Sequence, residues 1–259
     1  MKTIADIWAM VSRDAKRSEH REHDQRDETG HYELAAVAHH GLDVTLKKAR
    51  KVPTQDTFDT LTRRSRRRLA KLCKDLAENR IGVGEWQMRF ADEIRVAHAG
   101  AFAMGRQLGG DMAVLEEDDF AYLDMRGILT RQYGFLAGFA ADIDSGRYTV
   151  PELNIFDGPA IARRAMHYTQ IYGGTANEAF VVTSEALNPG ELFDWHMLTE
   201  EHCEDCPRYA AGGPYTASTL PTYPRSGETA CRMNCGCVLV RKSDNRIGFA
   251  RVYDDPILR

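Results

Sequence analysis

The sequence lacks the features that place a protein in or across a membrane. No stretch approaches the roughly 18 unbroken apolar residues that a membrane helix needs. The apolar stretch at the N-terminus is interrupted by Asp6 and has neither a long hydrophobic region nor a small-residue cleavage site. We therefore expect no secretory signal and no membrane partner, and we expect the protein to stay in the compartment in which it is made.

The composition is that of an ordinary soluble globular protein, with 43% hydrophobic and 28% charged residues among 259. A chain of this length buries one good-sized core, or a helical body with a small appendage. The net charge of −4 conceals two neighbouring blocks of opposite sign, because residues 47–74 carry +9 and residues 75–124 carry −7. Such blocks indicate a surface that contacts a partner or another copy of the chain.

Helical periodicity dominates the first two thirds of the chain. Apolar residues recur at steps of three and four over residues 58–76, and again over residues 83–108 before a Gly-Gly stop signal. Alanine and glycine are frequent in the second of these helices, which lets another helix approach closely. Further helices are predicted from about Glu116 to Asp144 and from Pro159 to about Thr175.

The last third of the chain has a different composition. Residues 180–183 and 238–240 have the composition of short strands, and Asn188-Pro189-Gly190 marks a turn. From Trp195 onward the chain is rich in Gly, Pro, Cys and Thr. This composition predicts a small, loop-rich unit.

These patterns together predict a mainly α protein in two parts. Residues 1–178 form a helical body, which includes an almost solidly polar, exposed arm at residues 12–33 and a strongly basic helix. Residues 179–259 form a small irregular α+β unit of the zinc type, which we call the cysteine-rich module.

The cysteine-rich module contains five of the six cysteines, spaced as C-x2-C, then twenty-four residues, then C-x3-C-x-C. A C-x2-C turn brings two thiolates to one metal ion, and a second close pair completes a tetrahedron. The first four cysteines form the most regular set, and the fifth is a substitute ligand or a free thiol; His196 and His202 are further candidates. The candidate metal ligands are Cys203, Cys206, Cys231, Cys235 and Cys237.

Three interpretations of these cysteines remain open: a structural Zn²⁺ site, free thiols in a packed loop, and disulfide bonds. Nothing marks the chain for an oxidising compartment, which argues against disulfides. The loop between the two pairs is rich in Gly and Pro and poor in apolar residues, so a metal ion would hold it where a core cannot. We favour structural zinc, and we expect the sixth cysteine, Cys73, to be buried on the basic helix.

Motifs of catalytic zinc are missing. No H-E-x-x-H occurs, and the deaminase pattern requires a proline before the C-x-x-C pair, whereas Pro207 follows it. Acidic residues flank the first cysteine pair, but acids in such a turn are more often solvated. We therefore expect no enzymatic activity.

The order of residues in the module resembles a known family. Trp195 precedes Cys203-Glu204-Asp205-Cys206, a stretch with Pro221, Pro224 and Gly227 follows, and Cys231 and Asn234-Cys235-Gly236-Cys237 close the segment. This arrangement is similar to the C-terminal module of the phage Mu F-like head morphogenesis proteins, a minor capsid family. Residues 82–98 also look like a helix common in these virion proteins. One departure is Cys231, where many relatives carry histidine.

The resemblance implies a low-copy structural virion protein, associated with the portal or connector and active in head assembly and in DNA packaging or ejection. It implies a location in the head or neck of a virion that is assembled in the host cytoplasm. The implied partners are portal and capsid proteins, further copies of the chain, and packaged double-stranded DNA. Two alternatives remain: a zinc-dependent enzyme acting on nucleic acid or protein, and a zinc-ribbon DNA-binding regulator.

The basic helix is a second candidate functional feature. Its cations would contact DNA phosphates in a salt-sensitive way, or acids of the same or another subunit. We favour acids, because the acidic block follows directly in the chain; aromatic residues that would stack on single-stranded DNA are missing from the helix. The candidate contact residues are Arg63, Arg64, Arg66, Arg67, Arg68, Lys71 and Lys74.

Overall fold

The computed structural model describes residues 52–111, 122–153, 155–198 and 202–250. All of these residues belong to one compact unit, Thr45–Arg259. Helices dominate the unit, strands are few and short, and the cysteines cluster near its C-terminal end, which confirms the predicted fold class. The predicted polar arm, residues 12–33, lies outside the described residues.

Within the described residues, five long helices and two small antiparallel sheets make up the fold. Strands β1 and β2 pair with each other, and β3 pairs with β4 so that Met197 lies opposite Cys237. The elements follow one another as α1 (Gln55–Ala77), α2 (Val83–Gly109), α3 (Ile128–Asp144), β1 (Thr149–Val150), β2 (Ile155–Phe156), α4 (Gly158–Gln170), α5 (Tyr172–Leu187), β3 (Phe193–Met197), α6 (Asp205–Gly212), a 3-10 turn (Arg232–Asn234) and β4 (Cys237–Arg241).

Helix α1 is the predicted basic helix. Thr54 caps it, and the side chain of Thr57 returns to the backbone of Thr54 in a capping box. At its start, Phe58 stacks on Phe249 with ring centroids 4.8 Å apart, and the Gln55 side chain exchanges hydrogen bonds of 2.8 and 3.3 Å with the backbone of Ala250. The first turn of α1 is therefore held by residues almost two hundred positions later.

Helices α2 and α5 pack against each other at unusually close range. A Cβ atom added to Gly105 would overlap the carbonyl oxygen of Ala176 and lie 2.6 Å from the Cβ of Ala179, and one added to Gly109 would lie 2.8 Å from the Cβ of Thr183. The small residues that the sequence places along α2 thus form the contact face that was expected for a close helix pair.

An aromatic cluster fills the core between α2, α3 and α4. Trp86 and Phe90 of α2 contact Phe139 of α3, and Phe90 also meets the ring of Tyr168 in α4 at 5.1 Å. The aromatic rings bury large areas in edge-on arrangements that add to the packing free energy. This core is built entirely from the helical body.

Three predicted elements differ in the structure. Residues 180–183, predicted as a strand, belong to α5, because the packing of this helix on α2 outweighs the weak helix propensity of its β-branched residues. The helix expected from Pro159 to about Thr175 ends at Gln170, and a new helix begins at Tyr172. The third helix, predicted from about Glu116 to Asp144, is interrupted at Gly127, which adopts a left-handed conformation with φ of 67°. A separate helix begins at Ile128.

The boundary predicted between residues 178 and 179 lies inside α5. The first residues assigned to the cysteine-rich module, 179–187, are therefore helical and pack against α2. The predicted strand at residues 238–240 is present as the centre of β4.

Candidate metal centre

Three short segments carry the cysteines. Cys203 precedes α6 and Cys206 lies in the first turn of that helix, Cys231 and Cys235 flank the 3-10 turn, and Cys237 opens β4. The C-x2-C pair is turned by the start of a helix, so its two thiols point to the same side. All six cysteines of the chain are free thiols, and Cys73 is buried in α1 as expected.

The sulfur atoms lie at distances that suit one tetrahedral ion. Cys203 Sγ is 3.4 Å from Cys206 Sγ and 3.3 Å from Cys231 Sγ. Cys206 Sγ is 4.0 Å from Cys231 Sγ and 3.8 Å from Cys235 Sγ. A tetrahedron with zinc–sulfur bonds of about 2.3 Å has sulfur–sulfur edges of about 3.8 Å. The thiols are therefore close enough to hold a metal ion.

The five thiols form two overlapping groups of three. Cys203, Cys206 and Cys231 lie within 4.8 Å of one another, and so do Cys206, Cys235 and Cys237. Cys206 is the member common to both groups. The second group is fully buried, whereas Cys203 and Cys231 are half-buried at the outer side.

Hydrogen bonds fix the two cysteine turns relative to each other. The Asp205 carboxylate accepts the backbone N–H of Ala230 at 2.7 Å and a guanidinium bond from Arg208 at 2.6 Å. The Thr229 hydroxyl lies 3.3 Å from Cys231 Sγ. The sequence predicts solvated acids beside the first cysteine pair, but in the structure Asp205 ties the first turn to the second.

The thiols differ in how easily they ionise. The hydrogen bond from the Cys237 thiol lowers the pKa of Cys235 to about 5, against the opposing effect of burial. Burial raises the pKa of Cys231 to about 11. A divalent cation at the centre would stabilise every thiolate around it, and so would override these differences.

Neither histidine candidate joins the thiols. His196 is exposed on β3 and His202 is half-buried, and among the described residues both groups of potential ligands consist of cysteine alone. Two of the acidic residues that flank the first cysteine pair in the sequence, Glu200 and Glu201, lie outside the described residues. The donor set in the described part of the module is thus all sulfur.

The loop between the cysteine pairs is anchored in the helical body by Arg225. Its side chain is buried, donates to the backbone oxygen of Phe249 at 2.6 Å and lies over the ring of Phe58 at 5.5 Å. Gly173 and Gly174 of α5 provide the space, since a Cβ at either would collide with Arg225. Sequence reasoning missed this anchor; the adjacent glycines in an otherwise buried helix were its signal.

The basic helix divides its cations among three environments. Arg66 is buried and donates a hydrogen bond to the Thr169 hydroxyl at 3.0 Å. The predicted surface contact of Arg66 is therefore wrong, because this residue lies three positions before Leu69, on the buried face of the helix. Arg63 is half-buried, as is Arg68, which pairs with Glu93 at 3.2 Å. The remaining four form one exposed stripe, which we call the basic stripe: Arg64, Arg67, Lys71 and Lys74.

Acids of α1 and of its C-terminal cap approach the basic stripe. Lys71 pairs with Asp75 at 2.7 Å, and Lys74 lies 3.8 Å from Glu78.

No helix among the described residues has the length and apolar character needed to cross a bilayer. Comparisons of the chain with protein-family models, with curated proteins and with solved structures give no match.

Proposed function

We propose that the protein is a structural component of a phage virion. It would act as a minor capsid protein of the Mu F-like type, associated with the portal or connector, in head assembly and in DNA packaging or ejection. The observation that carries the proposal is the set of five clustered thiols in the spacing that resembles that family. The donor set supports a structural rather than a catalytic role.

Zinc is the ion that this donor set favours. Soft thiolate ligands at tetrahedral spacing select Zn²⁺ among the common divalent cations. Cys203, Cys206 and Cys231 would supply three ligands, and Cys235 or Cys237 would supply the fourth. A catalytic zinc keeps one position open for water or substrate, whereas structural zinc is closed by four protein ligands. Five thiols for four positions leave no opening, which argues against the zinc-dependent enzyme.

The ion would give the module a rigidity that its own core cannot provide. It would join the start of α6, the 3-10 turn and β4, and the free energy of metal binding would be added to that of folding. Trp195 packs on Tyr209 at 5.1 Å and so connects the metal-held turns to the sheet. A small rigid surface of this kind suits a protein that must dock in a fixed geometry within a shell.

The basic stripe supports contact with an acidic neighbour. The Lys74–Glu78 pair is exposed at both ends, and such pairs contribute about 0–1 kcal/mol, so a partner can replace it with little loss. We infer that the partner surface belongs to an adjacent protein subunit of the head or connector, with packaged DNA as the other source of anionic groups. Neutralising the stripe distinguishes the two sources.

Isolation of phage heads decides the structural proposal. Heads purified from infected cells should contain the protein at a low copy number, in a constant ratio to the copy number of the portal protein, as measured by quantitative mass spectrometry. The isolated protein should carry close to one equivalent of zinc by elemental analysis, and Cys73→Ser should leave both results unchanged. Heads without the protein, or a monomer with measurable turnover on nucleic acid or protein, would contradict the assignment. A protein free of zinc would contradict the metal site alone.

A further inference from the structure

Two of the clustered thiols are accessible from solvent and three are not. Cys203 and Cys231 are half-buried at the outer side of the metal centre, and we call them the outer pair. The three inner thiols, those of Cys206, Cys235 and Cys237, expose at most 1% of their surface. Because the oxidation of cysteine follows its exposure, an oxidant that arrives from solvent meets the outer pair first.

The members of the outer pair also lie in contact with each other. Cys203 Sγ is 3.3 Å from Cys231 Sγ, whereas the distance from Cys231 Sγ to Cys206 Sγ is 4.0 Å. Cys203 Sγ lies 3.4 Å from Cys206 Sγ as well, but that second thiol is buried. A disulfide bond of about 2.05 Å requires the two outer sulfurs to approach by about 1.3 Å. Exposure and distance therefore select the same pair.

Hydrogen bonds hold the outer pair together without the help of a metal ion. The Asp205 carboxylate accepts the backbone N–H of Ala230 at 2.7 Å. Asp205 follows Cys203 by two positions, and Ala230 directly precedes Cys231. This contact joins the two cysteine turns beside the outer thiols, so each thiol would keep the other as its reaction partner after an ion departs.

We propose that the outer pair is a redox switch, in which oxidation joins Cys203 to Cys231 by a disulfide bond and releases the bound ion. The disulfide step depends only on the described thiols, whereas the release of an ion rests on the metal site of the proposed function. A metal ion binds the thiolate form of cysteine, which a disulfide no longer offers. Oxidation therefore leaves three inner thiols, one fewer than a closed structural zinc site requires.

The reaction balances with a hydroperoxide as the oxidant. One outer thiolate attacks the peroxide, so that a sulfur–oxygen bond forms, the oxygen–oxygen bond breaks and hydroxide leaves. The other outer thiolate attacks the resulting sulfenic sulfur, which forms the sulfur–sulfur bond and expels a second hydroxide. Two electrons pass from the sulfurs to the peroxide, and two protons from solvent convert the hydroxides to water. A dithiol reverses the change by thiol–disulfide exchange.

The switch suits the conditions that the proposed function implies. A virion protein is assembled in a reducing cytoplasm, where thiols persist, and later reaches a medium in which disulfides form. The ion would join the two cysteine turns during assembly, and the disulfide would join the same turns after release. The module would thus keep its cross-link while its metal is lost.

Peptide mapping of the oxidised wild-type protein tests the pairing. The zinc-loaded protein is treated with a small excess of hydrogen peroxide, its free thiols are alkylated, and it is digested with trypsin. Cleavage after Arg208, Arg225 and Arg232 separates Cys231 from the other clustered cysteines. We expect two peptides joined through Cys203 and Cys231, four of the six thiols still titratable, and zinc released to a chromogenic chelator. Treatment with a dithiol should restore all six thiols.

Serine variants separate the outer pair from the inner thiols. Cys231→Ser should form no cross-link between the two turns, whereas Cys237→Ser keeps the outer pair and should form the same cross-link as the wild type. A disulfide that involves an inner thiol, or sulfinic acid formed without any disulfide, would overturn the proposal. Zinc retained after the outer disulfide has formed would overturn the release of the ion. Protein free of zinc before oxidation would instead contradict the metal site of the proposed function, and the peptide map would still decide the disulfide.

Discussion

Replacement of Gly105 by alanine tests the close packing of α2 on α5. The new Cβ would overlap the carbonyl oxygen of Ala176 and lie 2.6 Å from the Cβ of Ala179, and neither of these atoms can rotate away. The two helices would have to move apart along a buried contact. Overpacking of this kind typically costs about 1–3 kcal/mol.

A matched control separates packing from helix propensity. Gly134 also lies inside a long helix, α3, but a Cβ there meets nothing within 4 Å. Both substitutions gain about 0.8–1.0 kcal/mol of intrinsic helix propensity, so this term cancels in their difference. We expect Gly134→Ala to raise the free energy of unfolding by about 1 kcal/mol. Gly105→Ala should be less stable than this control by about 1–3 kcal/mol.

Urea unfolding followed by circular dichroism measures the difference, provided that both variants share one m-value. In thermal unfolding the same difference corresponds to about 2–4 °C per kcal/mol for a protein of this size. Equal stability of the two alanine variants would show that α2 and α5 are not in the close contact described, and the packing argument would then fail.

Three further outcomes follow from the structure. Cys206→Ser should expose the cysteine-rich module to limited proteolysis while the helical body keeps its circular dichroism signal, because Cys206 belongs to both thiol groups and the body has its own core. Loss of the helical signal together with the protease resistance of the module would contradict this prediction. Replacing Arg64, Arg67 and Lys71 together by Gln should weaken head assembly, most at low salt, where screening is least. If assembly is unchanged, and if DNA binds more weakly with a smaller slope of log affinity against log salt concentration, the partner is DNA. Burial lowers the pKa of His98 to about 3, so the unfolded chain binds more protons than the folded one between that value and 6.5. Stability should therefore fall by at most about 1.4 kcal/mol per unit as pH drops through this window, and His98→Gln should flatten the decline in acid titrations of unfolding.

The helical segments that the sequence predicted most clearly are those with one exposed face. In α1, and in the first half of α2, the alternation of buried and exposed positions produces a clear period, and α2 ends at its predicted Gly-Gly stop signal. Helix α5 is buried on nearly every side from Tyr172 to Val181, so its sequence has no polar face to reveal a period. Residues 180–183 within it then have the composition of a strand, and only packing decides between helix and strand.

The metal centre was predictable in part for a similar reason. Two close cysteine pairs imply proximity through local turn geometry, and the structure brings those thiols together. The contributions of Asp205, Trp195 and Arg225 depend on how distant segments meet, which local spacing does not encode. The spacing of Arg66 from Leu69 in α1 was enough to predict that Arg66 is buried. Five arginines within residues 63–68 instead suggested a uniformly basic surface.

The contact between the start of α1 and Ala250 bears on how the chain acquires its structure during synthesis. The two ends of this contact are 195 residues apart. At about 5–20 residues per second, a ribosome needs about 10–40 seconds to make the intervening chain. For that time Phe58 has no Phe249 to stack on, and loop closure over such a distance is slow compared with helix formation. The helices of the body can therefore form while the chain is still emerging, whereas the seam between α1 and the last described residues closes only after translation has passed it.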